Sequence, residues 1–393
     1  MSDTVRPPVL DVDQHYYEPV DAFTRHCPKG WAERTVVTAV IGNRTRQIVG
    51  GKIDTTVTNP TFDPIVKAGV MMDYFRGNPE GKNLLEILAQ REPLPDYYRD
   101  RDARLCKMDD QAIDVIWMLP TVAMGYEEGL QYDPEAAGVA FRSFNRWLLE
   151  DWKFNHQNRI FSAPYLAFGD IDACVGEVEF GLANGARLFV VRAQAVYSGG
   201  SWRSPGDPIF DPIWARIEES GAVLVVHVGE VGGSGIDKYT QHTGNIIGEM
   251  ASPMQIAVGH ERAIANYLAA LTCDRLFERF ANLKVASVEN GAEFLPLSLS
   301  GLNRAGFQRP GYFSADPVEQ FKSHIWVSPF WEDDVLDVVG HLGAEHVIFG
   351  SDYPHPEGLA EPRQYEKIVA ALGDPLVERK IMWGNAAALT GLV

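Results

Sequence analysis

Val9-Leu10-Asp11-Val12-Asp13-Gln14-His15 runs directly into Tyr16-Tyr17-Glu18-Pro19. An apolar run that ends in acids and an imidazole reads as a buried strand whose C-terminal end carries chemistry. The turn that follows decides the architecture. A doubly wound open sheet normally places a glycine-rich phosphate loop after its first strand. Here that place holds Gln14 to Pro19, with no glycine.

Seven further runs of the same kind follow: Ile113–Pro120, Phe161–Phe168, Arg187–Ala193, Ala222–Val228, Lys284–Glu289, His324–Ser328 and His346–Asp352. Most are nearly continuous in apolar residues rather than alternating, as parallel strands buried on both faces are. Helical stretches separate them at Asp102–Gln111, Asp133–Asn155, Pro212–Ser220, Glu261–Asn282 and Asp333–Leu342. Eight strands alternating with helices predict an α/β fold, a (β/α)8 TIM barrel.

The segment at about 20–100 is too long for one βα connection, which is normally 2–6 residues. Within it, Thr35–Ile53 reads as a hairpin turning at Gly42-Asn43. Insertions at the C-terminal face of a barrel tend to cover the active site, so the chain reads as a single domain over 1–393 with a cap-like insertion after strand 1. A second long connection, Gly229–His260, is rich in glycine.

The 393 residues include 35 Lys+Arg against 53 Asp+Glu, a formal net charge of −18. That acidity argues against nucleic acid or an anionic membrane as the main partner, since both need a basic surface. No apolar stretch approaches the ~20 residues of a membrane span. Met1–Val9 lacks the apolar core of a signal peptide. The expectation is a cytoplasmic enzyme of a small molecule. Cys27, Cys106, Cys174 and Cys273 form no CxxC pair and read as single thiols.

In a barrel, the C-terminal ends of all strands open into one mouth. The first strand ends in Asp11, Asp13 and His15, which period-two alternation puts on one face. The fifth ends in His227, the sixth in Glu289 and the eighth in Asp352. Each alone has an ordinary explanation: a strand-end Asp caps helices or forms turns, and a His inside Val-Leu-Val-Val-His-Val packs as core. Four such ends around one mouth do not. Carboxylates buried side by side are costly without a cation, and a divalent metal removes that cost. The mixture of His and carboxylate suits Zn, Mn or Fe better than Ca or Mg.

Several residues carry the resemblance to a known family: Asp-x-Asp-x-His-x-x-Glu-Pro over Asp11–Pro19, the His227 strand end, Glu289-Asn290-Gly291, and Gly350-Ser351-Asp352-Tyr353-Pro354-His355. Met108–Val115 and Gly384-Asn385-Ala386 fit as well. Together they resemble the second amidohydrolase family of the metal-dependent TIM-barrel amidohydrolase superfamily, which includes relatives of aminocarboxymuconate-semialdehyde decarboxylase. The resemblance implies metal ligands at Asp13, His15, His227 and Asp352, with Asp352 also moving protons. It implies a dimer, as related barrels often are. At the sixth strand the chain departs from the pattern: many decarboxylase members carry a catalytic His there, and this chain has Glu289.

The resulting expectation is hydrolysis of a small, aromatic or carboxylated substrate through a metal-activated water, with Asp352, Glu289 and His227 as catalytic residues. The alternatives are nonoxidative decarboxylation of an aromatic acid, and a catalytically inactive ligand-binding barrel. Substrate contacts are expected from Arg192, which could clamp a carboxylate, and from His355, Tyr17, Trp331 and Asn290. Glu18 is expected to fix the turn before Pro19, and His324 and Trp117 to be structural.

Overall fold

The computed structural model describes residues 6–55, 57, 59–229, 253–258 and 260–393. Apart from Gly229, residues 253–258 and His260, the glycine-rich connection lies outside the described residues. Eight parallel segments close into a ring. They are β1 (Leu10–Tyr16), β2 (Val115–Pro120), β3 (Ile160–Ser162), β4 (Leu188–Arg192), β5 (Val223–His227), β6 (Lys284–Val288), β7 (Ile325–Val327) and the extended segment β8 (347–353). Ladders join β1 to β2 to β3 and β4 to β5 to β6 to β7. Single bridges complete the circle: Tyr165 to Val190, Val327 to Val347, and Gln14 to Tyr353. The predicted barrel is the fold, and every predicted strand finds its place within a few residues.

The strands are buried throughout β1, β2, β4 and β5, which explains why their sequences do not alternate. Trp117 is fully buried in β2 and its indole N–H donates to the Thr390 hydroxyl at 2.9 Å. His324 is buried at the start of β7, its ring stacked on Phe277 and its Nδ1 2.8 Å from the Leu283 carbonyl.

The register of β1 on β2 shifts between Asp11 and Gln14. This irregularity corrects the alternation argument for Asp11. Its carboxylate turns toward β8, accepting hydrogen bonds from the Ser351 N–H at 2.9 Å and hydroxyl at 2.6 Å and from the Gln14 amide at 2.8 Å. Asp11 therefore ties β1 to β8, and only Asp13 and His15 reach the mouth.

Three helices matter for the site: α1 (Arg101–Asp110), α2 (Ala123–Leu130) and α3 (Pro134–Asp151). Asp100 and Asp133 cap α1 and α3 by accepting from the N–H of Ala103 and Ala136. Helix α2 follows β2 and lies close to the end of β5. A Cβ at Gly229 would stand 2.3 Å from the Met124 side chain, so that approach requires glycine.

The inserted chain begins with an antiparallel hairpin, Val36–Ile41 against Arg44–Val49. Gly42 and Asn43 turn it with φ of 58° and 62°, the primed geometry such two-residue loops need. Val49 packs against Gly129 on α2. Further on, the insertion meets the turn after β8: the N–H groups of Gly69 and Met71 donate to the carbonyls of His355 and Pro356. Arg99 holds the carbonyls of Tyr17, Glu18 and Thr61 together. Among the described residues, no helix is long and apolar enough to cross a membrane.

Candidate metal centre

The ends of β1, β5 and β6 bring Asp13, His15, His227 and Glu289 together, with one potential ligand atom from each lying within 4.8 Å of the others. His15 Nε2 is 3.1 Å from Asp13 Oδ1 and 3.1 Å from Glu289 Oε2. His227 Nε2 is 3.0 Å from Glu289 Oε2 and 3.7 Å from Asp13 Oδ1. Asp352 borders this foursome through His15, its Oδ1 lying 3.4 Å from Nε2. It joins His15, Glu289 and His355 in a second, overlapping set. Glu289, which the sequence leaves open between metal ligand and acid–base group, stands inside the ligand cluster.

The two imidazoles are oriented alike. His15 Nδ1 faces the Pro120 carbonyl at 3.3 Å, and His227 Nδ1 faces the Val228 carbonyl at 2.9 Å. A carbonyl only accepts, so Nδ1 carries hydrogen in both rings and Nε2 is the atom turned into the cluster, with a lone pair to offer wherever a cation takes the place of its proton. Metal-binding imidazoles are held in this way. His227 Nε2 is buried and has no well-directed hydrogen bond, an orphaned atom that a metal would satisfy. The residues present therefore fit a divalent metal.

Electrostatics agree. Burial works against charging His15, yet hydrogen bonds to Asp13 and Glu289 raise it to about 9. Burial likewise opposes His227, and the charge of Glu289 carries it up to about 10. Glu289 is fully buried, which disfavours its charge, but His227 and His15 hold it well below the usual carboxylate range. Asp13 is lowered as well, its burial outweighed by His15 and His227 beside it. Asp352 is pushed well up by burial and by the charge of Glu289. Two imidazolium protons and one divalent cation are electrostatically interchangeable here, since each supplies two positive charges to the carboxylates.

Backbone strain marks the same places. Glu289 and Asp352 both have φ of 57°, in the left-handed region that non-glycine residues rarely occupy. Asn290 follows, buried, and its amide donates to the carbonyls of Val226 and Val288, each at 2.9 Å. Asn290 was expected to contact substrate. Its amide hydrogens are instead spent clamping β5 to β6 beside the two strand-end ligands.

The remaining expected substrate residues divide. His355 reaches the cluster, but both ring nitrogens are committed: Nδ1 lies 2.6 Å from Asp352 Oδ1 and Nε2 lies 3.2 Å from the Thr121 hydroxyl. Tyr17 is buried beside it, in edge contact with His355 at 5.9 Å and packed on Phe62 and Tyr98. Trp331 is half-buried, with its indole N–H on the Glu357 carbonyl and Arg76 stacked on its ring. Arg192, one strand from His227 and in register with it, is buried. Its Nε is 3.2 Å from Glu127, whose carboxylate also accepts from the Tyr165 hydroxyl at 2.6 Å. The Arg192 guanidinium edges a cavity of about 610 Å³ bounded by Glu128, Gln131, Tyr132, Trp202 and Tyr267. Glu18 accepts from the N–H groups of Thr121 and Val122 at 3.1 Å each, fixing the turn after β1 to the end of β2.

Two supporting residues escaped the sequence reading. Thr121 is one. Arg104 of α1 is the other: fully buried, it donates to the His15 carbonyl at 2.6 Å and lies over the Tyr353 ring. A cation one turn before buried Met108, on the apolar face of α1, was the available signal.

A family model described as amidohydrolase matches residues 95–392. The chain belongs to the amidohydrolase family. Among solved structures, it is 37% identical to an amidohydrolase from Mycobacterium avium subsp. paratuberculosis K-10, with a TM-score of 0.92 over 99% of this chain and 100% of that one. It shares the fold, at 18% identity and a TM-score of 0.61, of a dihydroxybenzoic acid decarboxylase from Polaromonas sp. JS666 solved with bound manganese and 2-nitroresorcinol. That match covers 82% of this chain and 93% of the other. A 2-amino-3-carboxymuconate-6-semialdehyde decarboxylase from Dictyostelium discoideum is 24% identical over 193 residues, which is 47% of this chain and 49% of the relative. This chain thus matches about half the length of that curated relative. The protein is an enzyme of the amidohydrolase superfamily with a cluster suited to a divalent metal.

Proposed function

We propose that this amidohydrolase-family enzyme hydrolyses a small aromatic or carboxylated organic substrate. The observation that carries the reading is Glu289 Oε2 at 3.1 Å from His15 and 3.0 Å from His227. The sixth-strand position thus offers a carboxylate among ligand atoms, which handles water and leaving groups well and gives no fixed positive charge to assist loss of CO2. A divalent ion, Zn or Mn foremost and Fe third, held by Asp13, His15, His227 and Asp352, would supply Lewis acidity and bring the pKa of a water to about 7. Asp352 would take a proton from that water once the ion displaces its own, and Glu289 would hold the water or pass that proton to the leaving group. His227 holds its Nε2 toward Glu289 and Asp13. Tyr17 and Trp331 supply apolar surface for the substrate, and the insertion at about 20–100 acts as the cap over the mouth. We place the enzyme in the cytoplasm as a homodimer, which sedimentation of the purified chain tests.

The second reading is nonoxidative decarboxylation of an aromatic acid. The curated relative and several structures of the same fold are named decarboxylases, which favours it. Assaying metal-loaded enzyme on hydroxybenzoate-type acids against esters, amides and vinylogous C–C substrates separates the two. Hydrolysis without CO2 release is expected; fast metal-dependent CO2 release with no hydrolysis reverses the order.

A further inference from the structure

We infer that Thr121 and His355 form a strut that fixes the Asp352 carboxylate against the metal cluster, which makes His355 a positioning residue. The inference rests on the metal-dependent reading above and goes beyond it by assigning what holds the eighth-strand carboxylate in place.

The chain of contacts is continuous. The Thr121 hydroxyl donates to the Tyr16 carbonyl at 2.8 Å, so its single hydrogen is spent. Toward His355 Nε2, 3.2 Å away, Thr121 can only accept. The ring therefore donates Nε2–H to Thr121, and a further proton lies between Nδ1 and Asp352 Oδ1, since two acceptors would not approach to 2.6 Å. Its faces are held too. His15 stacks on it with centroids 4.1 Å apart and planes 28° apart, and Tyr17 meets it edge-on at 5.9 Å. The imidazole is thus fixed at both nitrogens and by neighbouring rings, and it can rotate only if several contacts break together.

This arrangement gives the strut a direction. Thr121 lies just past the end of β2, Tyr16 ends β1, and Asp352 lies in β8, so three neighbouring strand ends are tied through one ring. Asp352 Oδ1 is held between His355 and His15 Nε2, leaving Oδ2 free of His355. A carboxylate on a strained, left-handed backbone position would otherwise choose among rotamers, changing which oxygen faces an ion. His355 comes near enough to His15, Glu289 and Asp352 to be counted with them as a ligand group. With Nδ1 on Asp352 and Nε2 on Thr121, it offers the ion no nitrogen of its own. Groups that orient a ligand from behind typically change metal affinity by about 10–100-fold when removed.

Cobalt(II) titration of the full chain, read by visible absorption and by competition with a chelator, tests the strut without any substrate. His355→Leu is expected to keep about one Co(II) per chain. Its affinity should fall by about 10–100-fold, with a shifted absorption band. Thr121→Val should move both readouts in the same direction by less, and Thr121→Ser should restore them. His355→Asn, whose amide nitrogen stands where Nδ1 was, should fall between wild type and His355→Leu. Circular dichroism checks folding, and Thr121→Val carries the test if His355→Leu does not fold. Wild-type affinity and spectrum in both His355→Leu and Thr121→Val would overturn the strut. So would complete loss of Co(II) in His355→Leu with Thr121→Val unaffected, which would make His355 a ligand. Failure of the unaltered chain to bind Co(II) would instead overturn the metal-dependent reading itself.

Discussion

Two buried charge clusters lie one strand apart at the mouth of this barrel, and they differ in what they can offer a ligand. At the end of β4, Arg192 meets Glu127, and Tyr165 donates to the same carboxylate, so the cation is neutralised where it stands. At the ends of β1, β5 and β6, Asp13, His15, His227 and Glu289 converge with both imidazole Nε2 atoms turned inward, and His227 Nε2 makes no well-directed hydrogen bond. Burial and charge are common to both. Each also leaves one buried nitrogen without a well-directed hydrogen bond, Arg192 Nε and His227 Nε2, but a guanidinium has only hydrogens to offer, whereas the second cluster gathers ligand atoms from four residues. A strand-end charge is therefore a weak pointer by itself, and the convergence of lone-pair donors around it decides between a brace and a centre.

The largest effect expected from breaking this contrast is on metal content. His227→Ala removes the orphaned Nε2 and should abolish stoichiometric binding, read by elemental analysis after dialysis, while the fold persists by circular dichroism. Retention of a full complement of Zn or Mn would place the ion elsewhere. Glu289→Gln should retain metal if the carboxylate's role is acid–base, and lower kcat by about 10²–10⁴-fold. Loss of the ion in this variant would sharpen the assignment of Glu289 to ligation.

The brace is expected to respond in stability rather than in metal. Arg192→Met leaves Glu127 buried without its cation and should cost about 3–5 kcal/mol in urea unfolding. A variant of unchanged stability but raised KM would instead make Arg192 a substrate clamp and erase the contrast. The smallest effect concerns Glu18. Burial pushes its carboxyl from 4.5 up to about 7, against hydrogen bonds from Val122 and Thr121. Between those values the folded chain holds a proton that the unfolded chain has released, so stability falls as pH rises from about 4.5 to about 7. Glu18→Gln should flatten that slope by up to about 1.4 kcal/mol per pH unit, measured by urea titration across the window.

The barrel was legible because each strand is buried on both faces, so its sequence is an apolar run that needs no partner to be recognised. The strand-end positions of Asp13, His15, His227, Glu289 and Asp352 were legible for the same reason: a polar residue closing such a run stands out. Direction was not. The register shift after Asp11 turns that carboxylate to Ser351, and nothing in alternation announces an irregular step. Partnership was not legible either. Glu127 lies 65 positions before Arg192, Thr121 lies 234 before His355, and Arg104 lies 89 after His15. Spacing within a helix or strand is blind to contacts of that range.

The left-handed backbone at Glu289 bears on how such enzymes diverge. Among non-glycine side chains, Asn, Asp and His are the most tolerant of that conformation, and β-branched ones the least. The backbone at the end of β6 therefore sets no bar to an imidazole in place of the carboxylate. A single codon position can exchange the group presented to the metal, while Asn290 keeps β5 and β6 clamped behind it. The barrel thus holds one geometry ready for more than one chemistry, and evolutionary drift between reactions at this mouth begins with a side chain rather than with the fold.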